Sequence, residues 1–402
     1  MAEADRLHAL DAVRAGALFL GIAVHGALAY TDPHYWVVND ETASPVMAAV
    51  FFLIHIFRMS LFFVLAGFFA RLLYERRGTA GFISNRLKRV AAPLVIFWLP
   101  VMAAIITLMI MAALKAHPEL AGQAPPPQPP LSVSTFPLTH LWFLYLLLWF
   151  YVAAVVVCVA VGFIDRHQYL KRGVDALIKG ILRWHLGPVV LGVPLFFMLM
   201  ATPVWGYWGG IPTPDIGLIP NNLALVAYGS AFAFGWVLHR LQPCLEYIKQ
   251  GWPAYLLVAI ICSAWCLNEA GLAPLYETAA GRDMPLYALA YVIAIWSWVL
   301  GLTGAALKFL SHPNRFWRFA SDSSYWVYIV HLPLVLLGQY LLMGLALPAL
   351  AKFALVVAGT AIVGLISYRY LVRYSFIGRL LNGKRLRSGR VSAGQVSQEA
   401  GQ

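Results

Sequence analysis

An arginine and a histidine stand eleven positions apart on the first apolar segment of the chain. They are Arg14 and His25, in Asp11-Ala-Val-Arg-Ala-Gly-Ala-Leu-Phe-Leu-Gly-Ile-Ala-Val-His25. Eleven residues is almost a whole number of helical turns, so both side chains fall on one stripe of one helix, about 16 Å apart along its axis. Everything between them is apolar or glycine. Ionisable side chains are expensive inside such a segment and mark a functional site by default. Histidine accepts a proton near neutral pH, and arginine suits phosphate or carboxylate.

Four further residues extend this chemistry. His55 and Arg58, three apart in His-Ile-Phe-Arg58, share a helix face and are expected roughly 14 and 18 Å deep. A guanidinium at that depth cannot neutralise itself and needs a carboxylate, carbonyls, water or an anionic ligand. His140 opens a later segment, where an interfacial anchor beside Trp142 is the alternative reading. His331 sits within Tyr325-Trp-Val-Tyr-Ile-Val-His331, where a hydrogen-bonded packing residue is the alternative. Carboxylates are almost missing from the apolar segments: Asp11 and Glu269 lie near segment ends, which argues against a paired-carboxylate hydrolase. The sequence holds no P-loop, nucleophile elbow or His-Glu-x-x-His motif, and no metal-ligand spacing. The four cysteines (Cys158, Cys244, Cys262, Cys266) are read as small apolar residues of a bundle.

The elements that position these residues follow from composition. The chain has 402 residues, 61% hydrophobic and only 11% charged, with mean hydropathy +0.73. That is the signature of a polytopic membrane protein rather than a soluble domain. The expected fold is all-α: a transmembrane bundle of about ten helices, near 12–31, 46–70, 91–113, 139–163, 187–205, 221–239, 253–271, 285–306, 323–343 and 352–372. The start, Met1 to Asp11, is polar and lacks a cleavage pattern, so the first helix is expected to act as an uncleaved insertion signal.

The net charge of +12 does not indicate nucleic-acid binding. Basic residues punctuate alternate gaps: Arg71, Arg76, Arg77, Arg86, Lys88 and Arg89 follow the second segment, and Arg166, Lys171, Arg172, Lys179 and Arg183 the fourth. Residues 32–45 hold Asp32, Asp40 and Glu41 with no Lys or Arg, and residues 206–220 hold only Asp215. Of the 29 basic residues, all but Arg58, Lys115, Arg282 and Lys352 fall on one side, so both termini are expected in the cytoplasm. Residues 1–380 are expected to form the membrane domain and 381–402 a basic, disordered cytoplasmic tail that rests on anionic lipid. Pro125–Pro130 reads as a stiff external stretch. No internal repeat is evident, which weakens a transporter built on inverted repeats.

Several motifs resemble the acyltransferase-3 family of integral membrane acyltransferases. Arg14-x10-His25 is similar to its signature, and Leu61-Phe-Phe-Val-Leu-Ala-Gly-Phe68 to its second-helix motif. Arg86-Leu-Lys-Arg89-Val-Ala-Ala-Pro93 resembles its basic segment, and Ser323-Ser-Tyr-Trp-Val-Tyr-Ile-Val-His331 its late Ser-Tyr stretch. His55–Met59 followed by Leu-Phe-Phe, with His140-Leu-Trp-Phe-Leu144, resembles the branch linked to succinylation of osmoregulated periplasmic glucans.

The resemblance spans nearly all ten segments and implies an acyl-CoA donor (succinyl-CoA or acetyl-CoA) in the cytoplasm. It also implies a hydroxyl acceptor outside, a periplasmic glucan or another surface polysaccharide. On that reading His25 takes the hydroxyl proton, assisted by Arg58, His55, His140 and His331. Arg14, Arg86, Lys88 and Arg89 meet the polyanionic coenzyme. Arg58 either stabilises the oxyanion or grips a succinyl carboxylate, and a ternary complex is favoured over an acyl-histidine. With no room for the appended esterase-like domain of some relatives, transfer is expected to finish within the membrane domain. A proton-coupled glycan transporter is the rival from another class, since intramembrane His and Arg also serve proton relays.

Overall fold

The computed structural model describes residues 8–383 apart from 35, 124–128, 203–204, 206–207 and 274–282. Most of Pro125–Pro130, Arg282 and nearly all of the 381–402 tail therefore lie outside the described residues. The described residues form an all-α bundle of thirteen α-helices: α1 His8–Leu28, α2 Pro45–Arg86, α3 Ala92–Ala116, α4 Trp142–Ile164, α5 Tyr169–Arg183, α6 Gly187–Val190, α7 Val193–Met200, α8 Asn222–Arg240, α9 Leu245–Ala270, α10 Met284–Phe309, α11 Arg315–Leu342, α12 Ala349–Ser367 and α13 Phe376–Asn382. Among the described residues the nearest thing to sheet is one antiparallel bridge, Pro137 with Ile216.

Among the described residues, eight continuous helical runs are long and apolar enough to cross a membrane. One of them, Pro45–Ala116, is 72 residues long and contains two of the expected crossings. The chain turns within it at Gly78, whose φ of 64° leaves the helical range and is readily adopted only without a Cβ. Two expectations are corrected here. The crossing near 187–205 is a short broken pair, α6 and α7, divided at Gly192 and opened by Pro188 and Pro194. Residues 169–183, read as a basic gap, form α5, whose apolar Leu170, Val174, Leu177, Ile178 and Ile181 recur at helical spacing.

Two helices carry the centre. α1 packs against α2, α10, α11 and α12, while α10 packs against α9 and also meets α2. α2 and α8 approach closely at small residues: a Cβ on Gly67 would run into the Phe232 carbonyl, and one on Gly235 into the Val64 carbonyl. Backbones come this near in a bilayer because no hydrophobic force separates helix from lipid, and close packing must supply the attraction.

Outside the centre, a buried ion pair ties the segment after α1 to α12. Lys352 Nζ lies 2.8 and 2.9 Å from the Asp40 carboxylate oxygens, with both residues almost fully buried. The sequence pattern places Lys352 at an outer helix end. Lys352 lies in the first turn of α12 and its ammonium turns inward, where burial is tolerated because the Asp40 carboxylate opposes its charge.

Candidate functional site

A cavity of about 800 Å³ runs through the bundle. Its wall includes Arg14, Arg86, Ser321 and Asn382 towards the end where α1 begins. Trp36, Thr139, Thr213 and Asp215 line it towards the end where α1 finishes. Between them the wall carries His25, His55, Arg58, His140 and His331. Seven of the nine residues singled out in the sequence therefore share one space. Lys88 and Arg89 do not line it: Lys88 is exposed, and Arg89 donates to the Arg379 carbonyl at 2.8 Å, where it holds α13.

Three of the imidazoles form a contiguous group. The His331 ring centre lies 5.4 Å from that of His25 and 5.0 Å from that of His140. Local backbone chemistry sets two of the rings. Pro333 lies inside α11 and has no N–H for the carbonyl four residues earlier, that of Ile329. His140 Nε2 donates to that carbonyl at 3.0 Å, so its Nδ1 carries the lone pair. His331 Nδ1 donates to the Tyr328 carbonyl at 2.6 Å, which leaves its Nε2 as acceptor. The Tyr328 hydroxyl in turn donates to the His140 carbonyl at 2.6 Å.

His25 lies in the last turn of α1, where carbonyls lack intrahelical partners. Gln339 supplies them, donating to the carbonyls of His25 at 2.9 Å and Gly26 at 3.3 Å. The Gln339 side-chain oxygen accepts from Trp36 Nε1 at 3.0 Å, and the Trp36 ring stacks on His25 at 5.7 Å. His25 Nδ1 is buried without a hydrogen-bond partner.

Arg58 is 7% exposed, and its Nε has no partner. No carboxylate among the described residues pairs with its guanidinium. Space for the group comes from α1: a Cβ on Gly21 would stand 2.9 Å from Arg58 Nη1. Gly21 thus lies on the same stripe as Arg14 and His25 and lets the guanidinium enter between them. His55 stacks on Phe51 at 4.9 Å.

At the other end the arginines are anchored. Arg14 pairs with Asp11 at 3.1 Å and hydrogen-bonds the Ser321 hydroxyl, which donates to Asp11 at 2.9 Å. The Phe69 ring lies under its guanidinium at 5.4 Å. Arg86 donates to the Tyr151 hydroxyl at 3.4 Å and lies over the Tyr151 and Phe82 rings. Sequence reasoning missed Asp11, Ser321, Gly21, Trp36 and Tyr328 as members of the site. Asp11 alone had a local signal, its position one turn before Arg14 in the first turn of α1.

Asp215 is the carboxylate in the cavity wall at the far end, and burial raises its pKa above the ordinary value despite help from Thr213. Among the described residues no three His, Cys, Asp or Glu side chains converge as a metal site. The arrangement suits proton transfer at an imidazole beside a fixed positive charge, within a cavity whose wall extends from Arg14 to Asp215.

Comparison with known proteins identifies the family of the chain. The acyltransferase domain family matches residues 7–369. Glucans biosynthesis protein C of Escherichia coli (strain SMS-3-5 / SECEC) is 25% identical over 345 residues, covering 84% of each chain. Its counterpart in strain K12 is 24% identical over the same length and shares. No solved structure matches this chain. With the family match spanning almost all of a membrane-crossing helical bundle, the chain belongs to the acyltransferase-3 family and is a multi-pass membrane acyltransferase.

Proposed function

We propose that the protein transfers an acyl group, succinyl in the first instance, from cytoplasmic acyl-CoA to a hydroxyl of an osmoregulated periplasmic glucan across the bacterial inner membrane. The observation that carries this reading is the continuous cavity, with anchored arginines at one end and the imidazole group midway. The charge asymmetry of the loops favours a cytoplasmic location for the arginine end. There Arg14 and Arg86 meet the coenzyme's phosphates, and the narrow pantetheine arm extends along the α1 stripe. About 16 Å of helix separates Arg14 from His25, so the thioester arrives beside the imidazoles while the nucleotide stays outside. Lys88 and Arg89 add positive potential near the entrance rather than direct contacts.

The sugar hydroxyl enters from the opposite end. His25 takes its proton as the oxygen attacks the thioester carbonyl. Arg58, which pairs with no carboxylate among the described residues, stabilises the oxyanion. Collapse breaks the carbon–sulfur bond, and the His25 proton goes to the leaving thiolate. The products are the sugar ester and free coenzyme thiol, so the step balances without an oxidant or reductant. The relatives named for glucan biosynthesis support a glucan acceptor. O-acetylation of another surface polysaccharide uses the same steps with a different donor.

The test is incubation of purified protein in nanodiscs with labelled succinyl-CoA or acetyl-CoA and periplasmic glucan, followed by mass spectrometry of the glucan. Succinyl addition is expected. Acetyl addition alone reassigns the donor, and flux of unmodified glycan through proteoliposomes favours the carrier reading instead. His25→Ala should lower transfer by about 10²–10⁴-fold, the usual contribution of a general base, with an unchanged gel-filtration profile. Full retained activity removes His25 from the mechanism.

A further inference from the structure

The end of the cavity away from the arginines carries chemistry that the transfer steps leave unused. Thr139 stands immediately before His140 with φ of 50°, a conformation that β-branched residues rarely adopt. Its hydroxyl is buried, lines the cavity and has no hydrogen-bond partner. A second segment holds it there: Leu138 and Thr139 both donate their backbone N–H to the Asp215 carbonyl, at 2.8 and 3.1 Å. Gly217 donates to the Phe136 carbonyl at 2.8 Å, completing a short antiparallel bridge. This bridge sets Thr139 and Asp215 side by side on the wall, next to the imidazole group. No cation among the described residues pairs with Asp215.

A carboxylate without a cation and an unpartnered hydroxyl, held by a strained backbone, are what a neutral polyol needs. The carboxylate accepts hydrogens from neighbouring hydroxyls, and the threonine hydroxyl both donates and accepts. The same carboxylate repels anions, whereas the opposite end, with Arg14 and Arg86, attracts them. Resting on the acyl-transfer reading, we propose that Thr139 and Asp215 form the acceptor subsite. They bind an uncharged sugar unit through hydroxyls adjacent to the one acylated, and they exclude units that already bear a negative substituent.

The experiment compares wild type, Asp215→Asn and Thr139→Ala in nanodiscs. Two readouts are taken: steady-state transfer with glucan and acyl-CoA varied separately, and calorimetric binding of a neutral glucan without acyl-CoA. Losing a hydrogen bond to a charged group, about 1.5–3 kcal/mol, corresponds to roughly a 10- to 150-fold change. Asp215→Asn is therefore expected to raise the glucan KM and weaken glucan binding by at least about tenfold, with the acyl-CoA KM unmoved. It should also narrow the preference of wild type for neutral over succinylated glucan. Unchanged glucan binding and KM in both variants overturn the subsite. So does a change confined to the acyl-CoA KM. Should wild type bind glucan through these residues yet transfer nothing, the subsite stands and the transfer reading falls. If Asp215→Asn does not fold, Thr139→Ala decides by the same two readouts.

Discussion

Arg58 and Gly21 form a pair in which the smaller residue decides what the larger can do. A buried guanidinium that pairs with no carboxylate among the described residues is held by packing, and the space it occupies is space that any side chain at position 21 would fill. Gly21→Ala is therefore expected to displace Arg58 and lower kcat by about 10²-fold, the cost of a misplacement near 1 Å, with the acyl-CoA KM little changed. Gly16→Ala is the control, because a Cβ there meets nothing within 4 Å. Equal activity of the two variants would show that the position of Arg58 does not matter. Arg14, His25, Arg58 and His331 are legible in the sequence because ionisable groups stand out in apolar text. Gly21 is not legible as their neighbour, since a glycine among apolar residues has many uses. Nor is the bridge that Ser321 makes between Asp11 and Arg14, because it spans more than three hundred residues of chain.

The helices are legible where apolar runs are long, and less so where charge interrupts them. α5 is hidden because Lys171, Arg172, Lys179 and Arg183 draw more notice than the apolar spacing beneath them. The Asp40–Lys352 tie is hidden because pairing between a loop and a distant helix leaves no mark in local sequence. That tie has a pH signature. Burial pushes the Asp40 carboxyl up, but hydrogen bonds from Lys352 and Thr42 outweigh it and hold the pKa below the ordinary 3.8. A carboxylate with a depressed folded pKa contributes stability in full above its unfolded value and loses it as pH falls through the folded one. Lys352→Met strands a buried carboxylate and is expected to cost about 3–5 kcal/mol at neutral pH. Without Lys352, burial of Asp40 favours the protonated carboxyl, so protonation relieves that penalty and the deficit in Tm should shrink as pH falls from neutral towards about 4. A deficit independent of pH would assign the loss to packing alone.

The molecule as a whole is the most legible level, since composition alone demands a bundle of membrane-crossing helices. Its orientation is a prediction from the distribution of Lys and Arg. A green fluorescent protein fused after Gln402 should fluoresce, and alkaline phosphatase at the same point should be inactive. The opposite pair of results would reverse the bundle and place the arginine end of the cavity outside, which removes the route for cytoplasmic coenzyme. The shape of the space between the helices is beyond the reach of sequence reasoning, because it depends on which small residues face inward once all of them pack.

The charge of Arg58, which no carboxylate among the described residues offsets, also bears on energy conservation. A water-filled path through a bilayer threatens to discharge the ion gradients that the cell maintains, and the transmembrane voltage drives cations inward along any such path. A fixed positive charge near the midpoint raises the electrostatic barrier for protons and metal cations, as arginine does in selective water channels. On the proposed transfer reading, the group that steadies the oxyanion would also insulate the membrane, letting an acyl chain pass without an accompanying current.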